Sequence, residues 1–205
     1  MAAPSTSALS QHGLRRDQLA ESALATLGRL GYARTSLREI AQRSPFTHGV
    51  VHYYFASKEE LIIHCVRYYK RTCVTRYEEI VETSTSAAEL QSRFAAKLAE
   101  TIREEGPMHQ LWYDLRNQSM FEPGLREVVQ EIDDQLEAMI WRVVLRYAAL
   151  AGREPALDSS TGYGMLDGLF AQSLLAWAIG PVAAREETLE ALIDRVDALM
   201  PSLLR

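Results

Sequence analysis

Between Thr35 and Glu60 the sequence TSLREIAQRSPFTHGVVHYYFASKEE sets three helix starts close together. Ser36 begins one helix, with Glu39 at the third helical position, the spacing of a capping box. Ser44-Pro45-Phe46 ends it, because proline lacks an amide N–H and its ring clashes inside a helix. Thr47 can cap a short helix over about residues 48–53. Ser57 with Glu60 then makes a second capping box and opens another helix. Two short helices joined by a forced turn, followed by a third with its own cap, is the layout of a helix-turn-helix unit that reads DNA.

The rest of the chain shows helical periodicity, no strand-like alternation of useful length and no internal repeat. Leu19, Ala23, Leu24, Leu27 and Leu30 mark one face of a helix over about 14–30, and Gly31 stands where a left-handed C-cap is expected. Leu37, Ile40 and Ala41 form the inward face of the next helix. The helix opened at Ser57 is expected to reach about Thr83. Ser86 with Glu89 opens another to about Glu104, which Gly106-Pro107 ends. Further helices are expected over about 108–120, from Glu122-Pro123-Gly124 to about Leu150, and over 158–179 and 185–203, the last two split by Gly180-Pro181. The expectation is an all-α fold of about nine helices. Residues 1–13, rich in small side chains, read as a disordered tail. The DNA-binding head is expected over 14–56, and a helical body over 57–205.

Of 205 residues, 47% are apolar and 24% charged, enough for a packed core. No apolar run approaches the roughly 18 residues that cross a bilayer. The N-terminus lacks the charged start and apolar core of a signal peptide, so a cytoplasmic protein with no membrane partner is expected. Cys65 and Cys73, eight apart on one helix, would lie about 12 Å apart along its axis. That is beyond disulfide reach, so both read as reduced thiols. Net charge is −5, but it is segregated. Residues 1–58 carry seven Arg/Lys against three acids, or +4, and the remainder fifteen against twenty-four, or −9. A basic head on an acidic body suits a double-stranded DNA partner.

In the third helix, steps of about 100° put Val51, Tyr54 and Phe55 on one side and Gly49, Val50, His52 and Tyr53 on the other. The first set can pack on Ile40 and Phe46. The second projects outward, with the dimensions to enter a major groove. Gly49 permits close approach, Val50 can touch a thymine methyl, and His52 and Tyr53 can bond phosphates or base edges. Thr47 and His48 begin the same helix beside the DNA. Lys58, Arg38 and the hydroxyls of Thr35 and Ser36 are candidates for backbone phosphates. His48 and His52, four apart, could chelate a metal, but the zinc-protease pattern needs Glu where Gly49 stands. No metal or cofactor is expected. Glu104-Glu105 and Asp133-Asp134 are adjacent pairs that point to different helix faces, so no catalytic residue is assigned.

Gly31-Tyr32, Thr35-Ser36, Arg38-Glu39-Ile40-Ala41, Gly49, Tyr54-Phe55 and Ser57-Lys58-Glu59 resemble the N-terminal domain of the TetR (tetracycline repressor) family, over about residues 14–65. The resemblance implies a homodimeric regulator, chiefly of the repressor kind, on a palindromic operator, released by a small-molecule effector. An activator or a ligand-independent DNA binder shares the same head. Two departures stand out. Ser44-Pro45 replaces the usual Ala-Gly of the turn, and Val50, Val51 and His52 replace the usual Thr then Leu-Tyr, so His52 stands where that Tyr commonly contacts a phosphate.

The family pattern puts ligand binding and dimerisation in the body. Candidate pocket residues are Met108, Leu111, Trp112, Arg116, Met120, Phe121, Trp141 and Phe170, a mix that permits an apolar or an anionic molecule. The last two helices offer the interface: Met165 and Leu169, then the stripe Leu189, Leu192, Ile193, Val196, Leu199 and Met200 at alternating steps of three and four. The same stripes suit an intramolecular core. Asp167-Gly168-Leu169 is also similar to an element of the choline-sensing regulators in this family; it does not carry a ligand with it.

Overall fold

The structure, a computed structural model, describes the backbone of residues 6–73 and 75–205 and the side chains of 11–70, 73 and 75–205. Among these residues there are nine α-helices and no strand: α1 (Thr6–Leu30), α2 (Leu37–Gln42), α3 (His48–Tyr54), α4 (Lys58–Cys73), α5 (Glu78–Thr83), α6 (Ala87–Ser119), α7 (Arg126–Ala151), α8 (Ser159–Ile179) and α9 (Arg185–Leu199). The expected number is reached through two differences that cancel. The helix expected from Ser57 to about Thr83 is two helices, α4 ending at Cys73 and α5 beginning at Glu78. After Cys73 the chain turns, with the Arg76 N–H on the Cys73 carbonyl at 3.1 Å. Conversely, α6 joins two expected helices across a kink. Glu105 leaves helical geometry (φ −121, ψ 16) where Gly106-Pro107 was expected to end one helix, and Pro107 lies at that kink. A Cβ at Gly106 would lie 2.8 Å from the Trp177 ring, so a glycine lets α8 close on the kink.

At the N-terminus, residues 1–5 of the expected tail lie outside the described residues, whereas 6–13 form the first turns of α1. At the other end α9 stops at Leu199 and a 3-10 turn covers Met200–Leu203, set by Pro201.

The chain divides into two compact units, residues 1–72 with 111–130, and residues 73–110 with 131–205. The first therefore includes α4 and a later segment as well as the head expected over 14–56. Its core is Leu19, Ala23 and Leu27 of α1, Ile40 of α2, Val51 and Phe55 on α3 and its cap, and Leu61, Ile62 and Cys65 of α4, all buried. Arg16 joins α1 to α4 through Glu60 at 2.9 Å and stacks 4.6 Å from the Phe55 ring. Gly31 takes the expected left-handed conformation (φ 72) and donates its N–H to the Leu27 carbonyl at 2.8 Å. Cys65 is free and buried, and burial pushes its thiol pKa up, so it stays protonated and inert.

The second unit packs Leu90, Phe94 and Ile102 of α6 with Val143 and Val144 of α7, Leu166 and Leu174 of α8, and α9. Leu189, Leu192, Val196 and Met200, expected at an interface between chains, are each at most 1% exposed within this one chain. Their period of three and four serves the protein's own core. Ile193 and Leu199 are half-buried, and Met165 is 40% exposed. The chain end is tied to the α7–α8 loop by Ala156 N–H on the Leu203 carbonyl at 2.8 Å and Arg205 N–H on the Glu154 carbonyl at 2.9 Å.

Candidate nucleic-acid interface

The caps expected from sequence position the reading helix. Ser36 Oγ accepts from the Glu39 N–H at 3.1 Å, and Thr47 Oγ1 from the Val50 N–H at 3.4 Å. Ser57 Oγ accepts from the Glu60 N–H at 3.1 Å, while the Glu60 carboxylate takes the Ala56 N–H at 2.9 Å. The turn between α2 and α3 closes without any left-handed residue. Ser44 Oγ accepts the Phe46 N–H at 3.2 Å, so a hydroxyl does the local work that a turn glycine would otherwise do by conformation.

α3 is divided as its sequence implies. Val51 and Phe55 are fully buried, and Tyr54 and Phe46 are half-buried. Gly49 and His52 are exposed, with Val50 at 36% and Tyr53 at 75%. Val50 and Tyr53 thus put apolar and aromatic surface on the outer side of a seven-residue helix. Thr47, His48, Ser36 and Arg38 are exposed on the same unit. His48 and His52 approach Nε2 to Nε2 at 3.1 Å. Among the described residues no three His, Cys, Asp or Glu side chains converge on a metal position.

Two residues expected at phosphates are held elsewhere. Thr35 is 3% exposed, its hydroxyl donating to the Gly31 carbonyl at 2.7 Å. Lys58 lies over the Tyr32 ring at 4.0 Å and donates to the Tyr32 carbonyl. Desolvation lowers its pKa, opposed by Asp114, Glu122 and Glu59. The Tyr32 N–H donates to Asp114 at 2.7 Å. Thr35 and Lys58 thus fasten the bend between α1 and α2.

Two surface concavities flank α3. One, about 450 Å³, is lined by Arg38, Ala41, Gln42, Phe46, Thr47 and His48. The other, about 680 Å³, has Arg15 of α1 facing Pro45, Phe46, Thr47, Gly49, Val50, Tyr53 and Tyr54. His12 of α1 packs on Tyr54, ring centroids 4.8 Å apart. Sequence reading counted Arg15 in the basic head but gave it no place, since its proximity to α3 is a tertiary fact that no local spacing carries.

The pocket candidates separate. Leu111, Trp112, Arg116, Met120 and Phe121 belong to the first unit, and Met108, Trp141 and Phe170 to the second. Leu111 and Trp112 are 3% exposed and Phe170 7%. Trp141 packs against Gly162, Met108 is half-buried, and the Arg116 guanidinium sits 5.6 Å from the Tyr113 ring. Met120 and Phe121 stand on the turn after α6, 62% and 78% exposed, and wall no interior.

Residues 19–65 match the family described as bacterial regulatory proteins, tetR family. The HTH-type transcriptional regulator BetI of Burkholderia lata is 26% identical over 192 residues, spanning 92% of this chain and 95% of that one. A TetR transcription regulator from Haloarcula marismortui shares the fold with a TM-score of 0.74 at 14% identity, over 94% of this chain and 100% of the other. A transcriptional regulator from Saccharomonospora viridis in complex with choline does so at 0.76 and 17%, over 94% and 98%. The family and these relatives are regulators of transcription rather than enzymes. No helix among the described residues is long and apolar enough to cross a membrane. The family's match thus lies on the capped helices that expose α3, and residues 19–65 are a helix-turn-helix of the tetR type.

Proposed function

We propose that the chain is a repressor that binds a palindromic operator as a homodimer and leaves it when a small-molecule effector binds the body. The observation that carries the DNA contact is the split of α3, with Val51 fully buried and Tyr53 75% exposed. In this reading Gly49, Val50, His52 and Tyr53 meet base edges. Ser36, Arg38, Thr47 and His48 meet phosphates, and Thr35 and Lys58 hold the α1–α2 bend. The apolar residues left bare along and after α8, Met165, Leu175, Ile179 and Val182, supply the face for a second copy. Release is a population shift: the effector favours a dimer whose heads miss successive major grooves, about 34 Å apart.

Selection of bound duplexes from a random pool at physiological salt tests the core of this. An inverted repeat supports a dimeric sequence-specific reader, and no enrichment overturns it. The Saccharomonospora regulator holds choline, so a quaternary ammonium is the first effector to titrate against the recovered duplex. A reporter driven by that duplex separates repression from activation by the sign of its response.

A further inference from the structure

We infer that the N-terminal half of α1 is a third wall of the reading head, with Arg15 as its ligand for a backbone phosphate diester of the DNA strand bordering α3. The inference rests on the DNA-binding reading of α3. α1 begins at Thr6, so Arg15 sits on formed helix rather than on a tail. His12, one turn earlier, packs its ring 4.8 Å from Tyr54 and 6.4 Å from Tyr53. That contact sets α1 against the reading helix. Arg15 faces Thr47, Gly49, Val50 and Tyr53 across the concavity of about 680 Å³.

Charge decides the occupant. No carboxylate is among the described residues lining that concavity. Arg15 is exposed and donates only to the neutral amide of Gln18, at 2.8 Å among the bonds described. Its neighbour Arg16 is half-buried and already held by Glu60. Two adjacent arginines on one helix therefore have different roles, one spent inside the fold and one presented to solvent beside α3. On the opposite flank Arg38 lines the second concavity. A helix lying in a major groove has a phosphate strand on each side. An arginine on each flank matches that geometry, and guanidinium is the side chain suited to a planar two-oxygen contact with phosphate.

The test is the salt dependence of binding by the full chain to the selected duplex and to a scrambled duplex, for wild type, Arg15→Ala and Arg15→Lys. Loss of one phosphate contact lowers the slope of log affinity against log salt by about 0.9. Arg15→Ala removes that contact from each head of the dimer, so it is expected to lower the slope by about 1.8 and to weaken both duplexes by the same factor. Arg15→Lys is expected to keep the slope. A wild-type slope in Arg15→Ala, or a loss confined to the selected duplex, overturns the inference while leaving the α3 reading intact. Wild type that binds neither duplex overturns both. Helicity by circular dichroism, expected unchanged because Arg15 is exposed, must match between variants; a fall would make Arg15 a structural residue and overturn the inference.

Discussion

α3 and α9 both carry an amphipathic pattern, and the two helices use it in opposite ways. α3 buries one residue fully and leaves a glycine, a valine, two histidines and a tyrosine in solvent. α9 buries Leu189, Leu192 and Val196 completely and exposes charged residues such as Glu190 and Asp194. An apolar stripe says that something covers it, and in α9 the cover is the chain itself. An exposed set of Gly, Val, His and Tyr framed by caps says that nothing among the described residues covers it. The second statement carries function; the first carries stability.

Leu192→Ala is the largest way to break that contrast. Its side chain is fully buried, and a buried Leu→Ala costs about 2–5 kcal/mol through lost burial and the cavity left behind. Urea unfolding should show that loss at every protein concentration tested. A loss that grows with dilution would mean that Leu192 lies between chains after all. The counterpart on α3 is His52→Ala or Tyr53→Ala. Each should leave the unfolding midpoint near wild type and weaken the selected duplex by about 1–3 kcal/mol, with relaxed preference at the bases touched. Unfolding shifts without affinity shifts would place these side chains in the core.

Local chemistry was legible in the sequence wherever one residue type satisfies one backbone need. Gly31, Ser36, Thr47, Ser57 and Ser86 all act as the caps their positions imply. The division of α3 was legible for the same reason, since seven residues between a cap and a Phe corner leave one register. Gly106-Pro107 was legible as a break, since the backbone at Glu105 leaves helical geometry, whereas the packing of Trp177 on Gly106 at that kink was not. The α9 stripe and the pocket candidates were ambiguous because periodicity reports burial and never the identity of the covering surface. Thr35 and Lys58 were assigned to phosphates by linear position, whereas the carbonyls of Gly31 and Tyr32 take their donors.

Caps sharpen the comparison on a smaller scale. Ser36→Ala removes the acceptor of the Glu39 N–H and should cost about 1 kcal/mol of stability. Because α2 carries α3 in position and the Ser36 hydroxyl meets a phosphate in the proposed complex, duplex affinity should fall as well. Ser36→Asp restores the cap acceptor and the stability but not the affinity, since its charge repels the phosphate. Affinity recovered by the aspartate would leave Ser36 a cap alone.

Ile179→Ser has the smallest effect on folding and separates stability from function in the second unit. Ile179 ends α8 with 77% of its surface exposed, so the isolated chain should change by no more than about 0.5 kcal/mol. If the bare residues along α8 cover a second copy, the same substitution leaves a hydroxyl in an apolar contact and moves the monomer–dimer balance toward monomer. Sedimentation at micromolar protein reads that directly. An unchanged dimer would move the interface away from Ile179. A monomer that still binds a full inverted repeat as tightly as wild type would remove dimerisation from the requirements of operator recognition. A monomer that binds only half-sites would tie the exposed apolar end of α8 to the exposed polar face of α3, two surfaces that the described residues of one chain leave uncovered.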